Sequence, residues 1–376
     1  MLLKILKKAR LGCVSLKALA PIVRHFGQTV SMTETEADSI LSSHSPAPQG
    51  TAFSEGLLQE QTPGLDLDII VPVYNAQPYL RDCIASILGQ ETHYRFRAIF
   101  IDDGSTDQSG PILDEYLADP RVLVLHQENQ GPSSARNAGI ARSGASYLLF
   151  QDADDLLAPG AVEQLLSAAY AHNAALVQGC FATFCGDKPP RRAMSFSAPV
   201  TVNPPLNMLP GYPWGKVIRR DCFCNLRFPQ GYLYEDTICV QLLYPLLLRD
   251  GETIVGIDHI VCHYQENPRG ISHMAQGKPK ALDSFWITKA LYADRPLFSL
   301  DNTQLDYEAA LDMIVLTYER TQHLPEAVRM ALMVQWRVFL QEQFPGFHTS
   351  RKPLKTLEEA LKDENFPLYS LCCQLL

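Results

Sequence analysis

Phe150-Gln151-Asp152-Ala153-Asp154-Asp155 ends an apolar run, Tyr147 to Phe150, with three acids in four residues. Burial explains the run but not the acids. Tyr-Leu-Leu-Phe reads as a buried strand, and Asp152 and Asp154, two apart where it ends, can point at one shared spot. An oxygen-only pair of this kind suits Mg²⁺ or Mn²⁺, which one or two carboxylates hold while phosphate oxygens and water complete the shell. The same letters would serve a strand-to-helix turn in which one Asp caps a helix beginning near Pro159.

The flanking segments decide between these readings by placing the acids in a sheet. Leu67 to Val73 is a strand running into Tyr74-Asn75, and Pro78 to Gly89 repeats Leu80, Ile84, Ile87 and Leu88 on a helix face. A second strand, Phe96 to Ile101, ends in Asp102-Asp103-Gly104-Ser105, and a helix with Ile112, Leu113, Tyr116 and Leu117 follows. Arg121 to His126 is a third strand, Ser133 to Arg142 a helix, Tyr147 to Phe150 the fourth strand and Ala161 to His172 another helix. Strands alternating with helices of this length predict an α/β fold, a mostly parallel sheet with helices on both faces. The loops after such strands collect on one edge, where ligands bind. Three of the four strand ends carry conspicuous polar groups, which favours a site over a cap. No Gly-x-Gly-x-x-Gly and no Gly-Lys-Ser/Thr loop follows the first strand, so neither a dinucleotide fold nor a P-loop is supported.

The 376-residue chain carries a net charge of −9 that hides a polarity. Residues 1–30 hold six basic residues (Lys4, Lys7, Lys8, Arg10, Lys17, Arg24) and no acid, leaving a body of −15. An acidic body argues against nucleic acid as a partner. Leu2, Ile5, Ala9, Leu16, Leu19, Val23 and Phe26 make an apolar stripe opposite those charges, a basic amphipathic segment suited to an anionic membrane surface or a partner helix. No apolar run is long enough to span a bilayer, and no signal-peptide pattern is present. Residues 31–66 turn to Ser, Thr, Pro, Gln and Glu, the composition of a flexible linker, so the folded body is expected to begin at Leu67. Ten scattered cysteines in a chain of this size favour a reducing, cytoplasmic location. Cys222-x-Cys224 and the group His259, Cys262, His263 lack the spacing of a closed zinc site, and Cys372-Cys373 reads as packing. Beyond Lys280 the pattern is helical, with Trp286 and Trp336 expected in the core.

Four segments carry a resemblance: Ile70-Val71-Pro72-Val73-Tyr74-Asn75, Ile101-Asp102-Asp103-Gly104-Ser105-Thr106-Asp107, Asn129 to Gly139, and Asp152-Ala153-Asp154-Asp155. In order and spacing they resemble the inverting family 2 glycosyltransferases of the GT-A fold, of bacterial polysaccharide type. Pro213-Trp214-Gly215-Lys216-Val217 and Phe228 to Thr237 look like the segments that shape the acceptor side in that family. Tyr264 to His273 looks like a later family segment, with Gly270 and Gln265 departing from the usual residues and Arg269 as a substitute for the latter. The chain then divides into residues 1–30, the linker 31–66, a GT-A catalytic domain over 67–275 and a helical C-terminal region over 276–376.

The resemblance implies a nucleotide-sugar donor, most often a UDP-sugar, a glycan or lipid-linked acceptor, and a role in surface polysaccharide synthesis at the inner face of the cell membrane. It implies Mn²⁺ or Mg²⁺ on Asp154, with Asp152 toward the ribose or the metal's water shell. Pro72, Tyr74 and Asp103 would take the base, Asp103 accepting the N3–H of uracil. Arg136 would either face the phosphates or brace the site. Asp236 matches the family's general base, and Glu235 is read as a cap or an acceptor contact. A sugar-1-phosphate nucleotidyltransferase is the enzyme alternative, disfavoured for want of a Gly-rich loop followed by Arg and Lys. A catalytically silent nucleotide- or glycan-binding relative is the other.

Overall fold

All seven residues of β1, Leu67–Val73, pair in parallel with β2 (Phe96–Asp103), and the first four also pair in parallel with β4 (Tyr147–Phe150), in the computed structural model. It describes residues 29–56, 58–185, 189–267, 270 and 277–376, with six more between 16 and 24. Every residue of β1 but Pro72 is buried, as a central strand covered on both faces requires. β3 (Val122–Gln127) lies beyond β2, and the register Val73↔Asp102 and Asp103↔Gln127 brings the ends of β1, β2 and β3 to one edge.

Past β4 the sheet is mixed rather than parallel. β9 (Lys216–Arg219) runs antiparallel between β4 and β6 (Leu176–Phe184), and β10 (Ile254–Gln265) returns parallel to β6, with the short β5 (Leu156–Leu157) and β8 (Val200–Val202) antiparallel on β10 and β7 (Arg191–Arg192) antiparallel on β6. The helices Gln77–Leu88, Pro132–Arg142 and Ala161–Ala171 cover the sheet, Leu80, Ile84 and Ile87 facing inward as their spacing predicts. Gly139 belongs to that packing: a Cβ there would sit 2.4 Å from Ile70.

The chain forms two contact units. One comprises Gln49–Gly231 and Glu235–Pro268 and contains the sheet. The other gathers the described residues up to Pro48, Tyr232–Tyr234 and the C-terminal helices. Trp286 and Trp336 are buried in the helical unit, and Arg295 pairs with Asp306 at 2.9 Å in its interior. Cys372 and Cys373 pack there as expected.

The flexible linker expected over 31–66 is a correction. Glu34–His44 is a helix opened by a Thr33–Glu36 capping box, and its Ala37 and Leu41 are fully buried. That helix packs on Glu326–Gln343 within the helical unit, so its polar residues are one exposed face rather than a sign of disorder. Residues 49–66 lie along the sheet unit, with the Thr62 N–H on Gly144 O at 2.8 Å and Phe53 bridged to Leu226. The sheet unit therefore begins at Gln49, not Leu67. The basic stripe of residues 1–30 falls largely outside the described residues, as does most of the loop around Arg269. Among the described residues no helix is long and apolar enough to cross a membrane.

Candidate active site

At the β1 and β2 ends, polar side chains bind the loops to one another. Asn75, at φ 50°, accepts the Thr106 N–H at 2.8 Å, and its own N–H donates to Ser105 Oγ at 3.0 Å. Asp102 accepts the Ser105 N–H at 3.0 Å and contacts His126 Nδ1 at 2.9 Å. Asp103 accepts from Gln127 Nε2 (2.7 Å), the Gln130 N–H (3.0 Å) and the Gly131 N–H (2.8 Å). Gly104, at φ 71°, lets the Asn129 backbone approach; a Cβ would sit 2.8 Å from Asn129 N. Asp103 is only 3% exposed and anchors the 127–131 loop, while Pro72 is partly exposed and Tyr74 is 49% exposed beside it. A carboxylate offers about four acceptor positions, so one position of Asp103 is not taken by these three donors.

The acidic turn after β4 is bound differently. Arg136, buried on its helix, donates to Asp152 Oδ1 at 3.0 Å and also to Glu235, with its guanidinium 5.5 Å from the Phe228 ring centre. The structure thus has Arg136 bracing two acids, and Glu235 is its partner rather than a cap. Asp154 Oδ2 accepts from Asn267 Nδ2 at 3.0 Å. Burial, then the Asp152 charge, pushes the Asp154 carboxyl up. Asp155 is fully buried; its Oδ1 accepts the Gln265 N–H at 2.7 Å while Oδ2 has no hydrogen-bond partner. Burial and the neighbouring Asp152 and Asp154 push it well up. Acids raised by burial and by one another are what a cation would relieve. Among the described residues no group of three or more His, Cys, Asp or Glu could hold a metal ion. Asp152 and Asp154 are the partly exposed acids of this turn, and an ion held by one or two carboxylates would need its remaining ligands from elsewhere.

Asp236 lies half-buried in the 3₁₀ turn Glu235–Thr237. Tyr234, at φ 64°, precedes it, a backbone position unusual for a bulky residue. After Ile238 the chain makes a π-helical turn, Cys239–Leu243, running into the α-helical Tyr244–Arg249. Pro245, which has no N–H to donate, sits at the change of register. The N-cap of the π turn is Ile238, so Asp236 is not its cap.

Two residues of this edge lay in segments read from sequence as wholes, with no individual role given to them. Asn267, on Asp154, follows the end of β10. Lys216 is fully buried, its Nζ donating to Tyr244 Oη at 2.6 Å and Pro210 O at 3.0 Å. The signal for Lys216 was available: a lysine opening the apolar strand Lys216-Val217-Ile218.

Residues 68–229 match the family described as glycosyl transferase family 2. Glycosyltransferase GlyA of Streptococcus pneumoniae serotype 4 is 32% identical over 196 residues, covering 48% of this chain and 28% of that protein. The uncharacterized glycosyltransferase EpsJ of Bacillus subtilis is 29% identical over 224 residues, 55% of this chain and 63% of that one. The chain thus spans less than two thirds of the length of either relative. Among solved structures, residues 1–349 of S. aureus TarS share the fold at TM-score 0.62 and 15% identity, over 81% of this chain and 89% of that one. The same protein in complex with UDP-GlcNAc gives 0.63 at 16% identity. The fold shared with these structures is the GT-A fold anticipated from the motifs.

Proposed function

We propose that the chain, whose residues 68–229 match glycosyl transferase family 2, transfers a sugar, with inversion, from a UDP-sugar to a hydroxyl of a glycan or lipid-linked acceptor. The observation that carries this reading is Arg136, whose one guanidinium bonds both Asp152 of the acidic turn and Glu235 beside Asp236. A leaving-group side and a base side are thereby held a single side chain apart. TarS, which shares the fold, has been solved with UDP and with UDP-GlcNAc, which supports a uridine nucleotide.

In the proposed reaction Pro72 and Tyr74 flank the base, and Asp103 keeps the 127–131 loop in place with one acceptor position free for it. Asp154 and Asp152 would hold Mn²⁺ or Mg²⁺, which supplies positive charge to the diphosphate as the glycosidic bond breaks. The acceptor oxygen attacks the anomeric carbon, the bond to the diphosphate breaks with its electron pair leaving on UDP, and the acceptor's proton passes to Asp236. Arg136 keeps Asp152 and Glu235 in position throughout.

A screen of nucleotide sugars for Mn²⁺-dependent UDP release, with glycan and lipid-linked acceptors present, tests the proposal. Release with a product of inverted linkage is expected. UDP binding without turnover of any donor would identify a silent binder instead. We further assign residues 1–30 to an anionic membrane face, in keeping with a bacterial surface-polysaccharide role, each basic residue contributing about 1 kcal/mol. Flotation with anionic liposomes should fall when Lys4, Lys7 and Lys8 are changed to Gln and when salt is raised; flotation unaffected by both would end that assignment.

A further inference from the structure

Lys216 is a buried cation that the reaction above leaves without a task. Both of its recorded hydrogen-bond acceptors, the Tyr244 hydroxyl and Pro210 O, are neutral, and the Tyr244 hydroxyl itself donates to Pro210 O at 2.5 Å. The Tyr212 and Tyr244 ring centres lie 5.8 and 5.2 Å from Nζ. Its strand, β9, pairs with β4, the strand that ends in the acidic turn. Tyr244 begins the α-helical segment that continues the turns carrying Asp236. Lys216 thus ties the strand beside the acidic turn to the segment bearing the proposed base.

The surrounding charges single out one target. Asp236 acts on Lys216 electrostatically, together with Cys239. Cys239, Tyr212 and Tyr244 are kept protonated by burial, Cys239 pushed up to about 11. Arg136 is shared between Glu235 and Asp152. Arg320 lies 3.6 Å from the Tyr234 ring centre and donates to the Ser284 hydroxyl, so of these cations Lys216 is the fully buried one that bonds the segment following Asp236. Removing an ammonium from water is costly, and a satisfied apolar residue of similar volume would fit the same space.

We propose that Lys216 is a positioning residue for Asp236: it fixes, through the Tyr244 hydroxyl, the π turn that follows Asp236, and its charge keeps that carboxylate ionised and ready to accept the proton. This rests on the reading of Asp236 as the base. A positive charge lowers a neighbouring carboxyl's pKa, so its loss should move the acid limb of the pH profile toward higher pH.

The test is the pH dependence of kcat/KM for the full chain, with the donor found in the screen, for wild type, Lys216→Met, Lys216→Arg and Tyr244→Phe. Lys216→Met should shift the acid limb upward by about one unit, a tenfold loss at pH values below it, with UDP affinity and Tm maintained. Lys216→Arg should keep the wild-type limb, because the charge remains, and Tyr244→Phe should lower kcat without moving the limb. In parallel, the Asp236 carboxyl is titrated by NMR on chain labelled with ¹³C-carboxyl aspartate, its signal assigned by its absence in Asp236→Asn. An unmoved Asp236 titration in Lys216→Met, or activity lost only in step with Tm, overturns the proposal. A shifted titration in a chain that transfers no sugar would support the Lys216–Asp236 coupling and overturn the transfer reading instead.

Discussion

The β1–β2 loops and the acidic turn stand on the same sheet edge and are built on opposite terms. Around Asn75, Asp102 and Asp103 the carboxylates and the side-chain amide oxygen accept from backbone N–H groups, so the polar groups satisfy one another. Around Asp152, Asp154 and Asp155 each carboxylate has one recorded side-chain or backbone donor, Asp155 Oδ2 has none, and the carboxyls of Asp154 and Asp155 are pushed up. A satisfied network fixes shape; an unsatisfied acidic one is stable only in waiting for charge. The first region should fail by unfolding when cut, and the second by losing chemistry while the fold persists.

The largest test of that contrast is Asp236→Asn, on the acidic side of the edge. The amide keeps the side chain's shape but cannot take a proton. Single-turnover transfer at saturating donor should fall by roughly 10² to 10⁴-fold, about 3 to 5 kcal/mol of barrier, with UDP affinity and Tm unchanged. Turnover within a few-fold of wild type would move the base to Glu235, which is already paired with Arg136.

Cutting the satisfied region should look different. Asp103→Ala leaves Gln127 Nε2 and the Gln130 and Gly131 N–H groups without their acceptor, at a cost of about 3 kcal/mol of stability. Urea denaturation should show a lowered midpoint at unchanged m-value, whether or not a nucleotide is present. Intact stability with lost UDP binding would instead make Asp103 a ligand contact first. Asp154→Asn should do the reverse, keeping or raising the metal-free Tm by removing one of three crowded charges. It should abolish the stabilisation by Mn²⁺ and UDP, which for wild type at 100 times Kd is about 2.7 kcal/mol. A Tm shift by Mn²⁺ and UDP equal to wild type would remove Asp154 from the metal site.

The same contrast explains what could be read from sequence. Strands β1 to β4 and their helices were legible because apolar periodicity and strand-end polar groups are local signals, and Tyr147–Phe150 falls where its letters place it. The acids were legible because their number exceeds any structural need. The linker was misread because the Ala37 and Leu41 that bury the helix Glu34–His44 are too few among polar residues to stand out. The roles of Asn267 and Lys216 were missed because they lie in partners 113 and 28 residues away, Asp154 and Tyr244, which no local pattern reveals. The π turn after Asp236 was hidden for a related reason, since Pro245 is tolerated in the first turn of a helix and gives no sign of the register change before it.

The smallest expected effect is also the most specific, because it concerns a charge kept where stability alone would not place it. Burial lowers Lys216 from its ordinary 10.5 to about 8, while Cys239 and Asp236 oppose the shift. In the unfolded chain the amine keeps its ordinary value, so between about 8 and 10.5 the unfolded state binds more protons than the native state. Stability contributed by this site must then rise with pH across that window. At pH 7 both states are protonated and the burial penalty is nearly complete, about 3 kcal/mol; by pH 9 roughly 1 kcal/mol of it is relieved. Lys216→Met has no such proton to lose, and the Tyr244 hydroxyl still has Pro210 O as its acceptor, so no polar group is orphaned. The variant should therefore be at least as stable as wild type at pH 7, and the gap between them should narrow by about 1 kcal/mol at pH 9. Chemical denaturation of both proteins at the two pH values reads the difference directly, with the other titrating groups cancelling. A variant less stable than wild type at pH 7, with a gap independent of pH, would mean that Lys216 holds the fold together and would erase the distinction between the two regions at this residue.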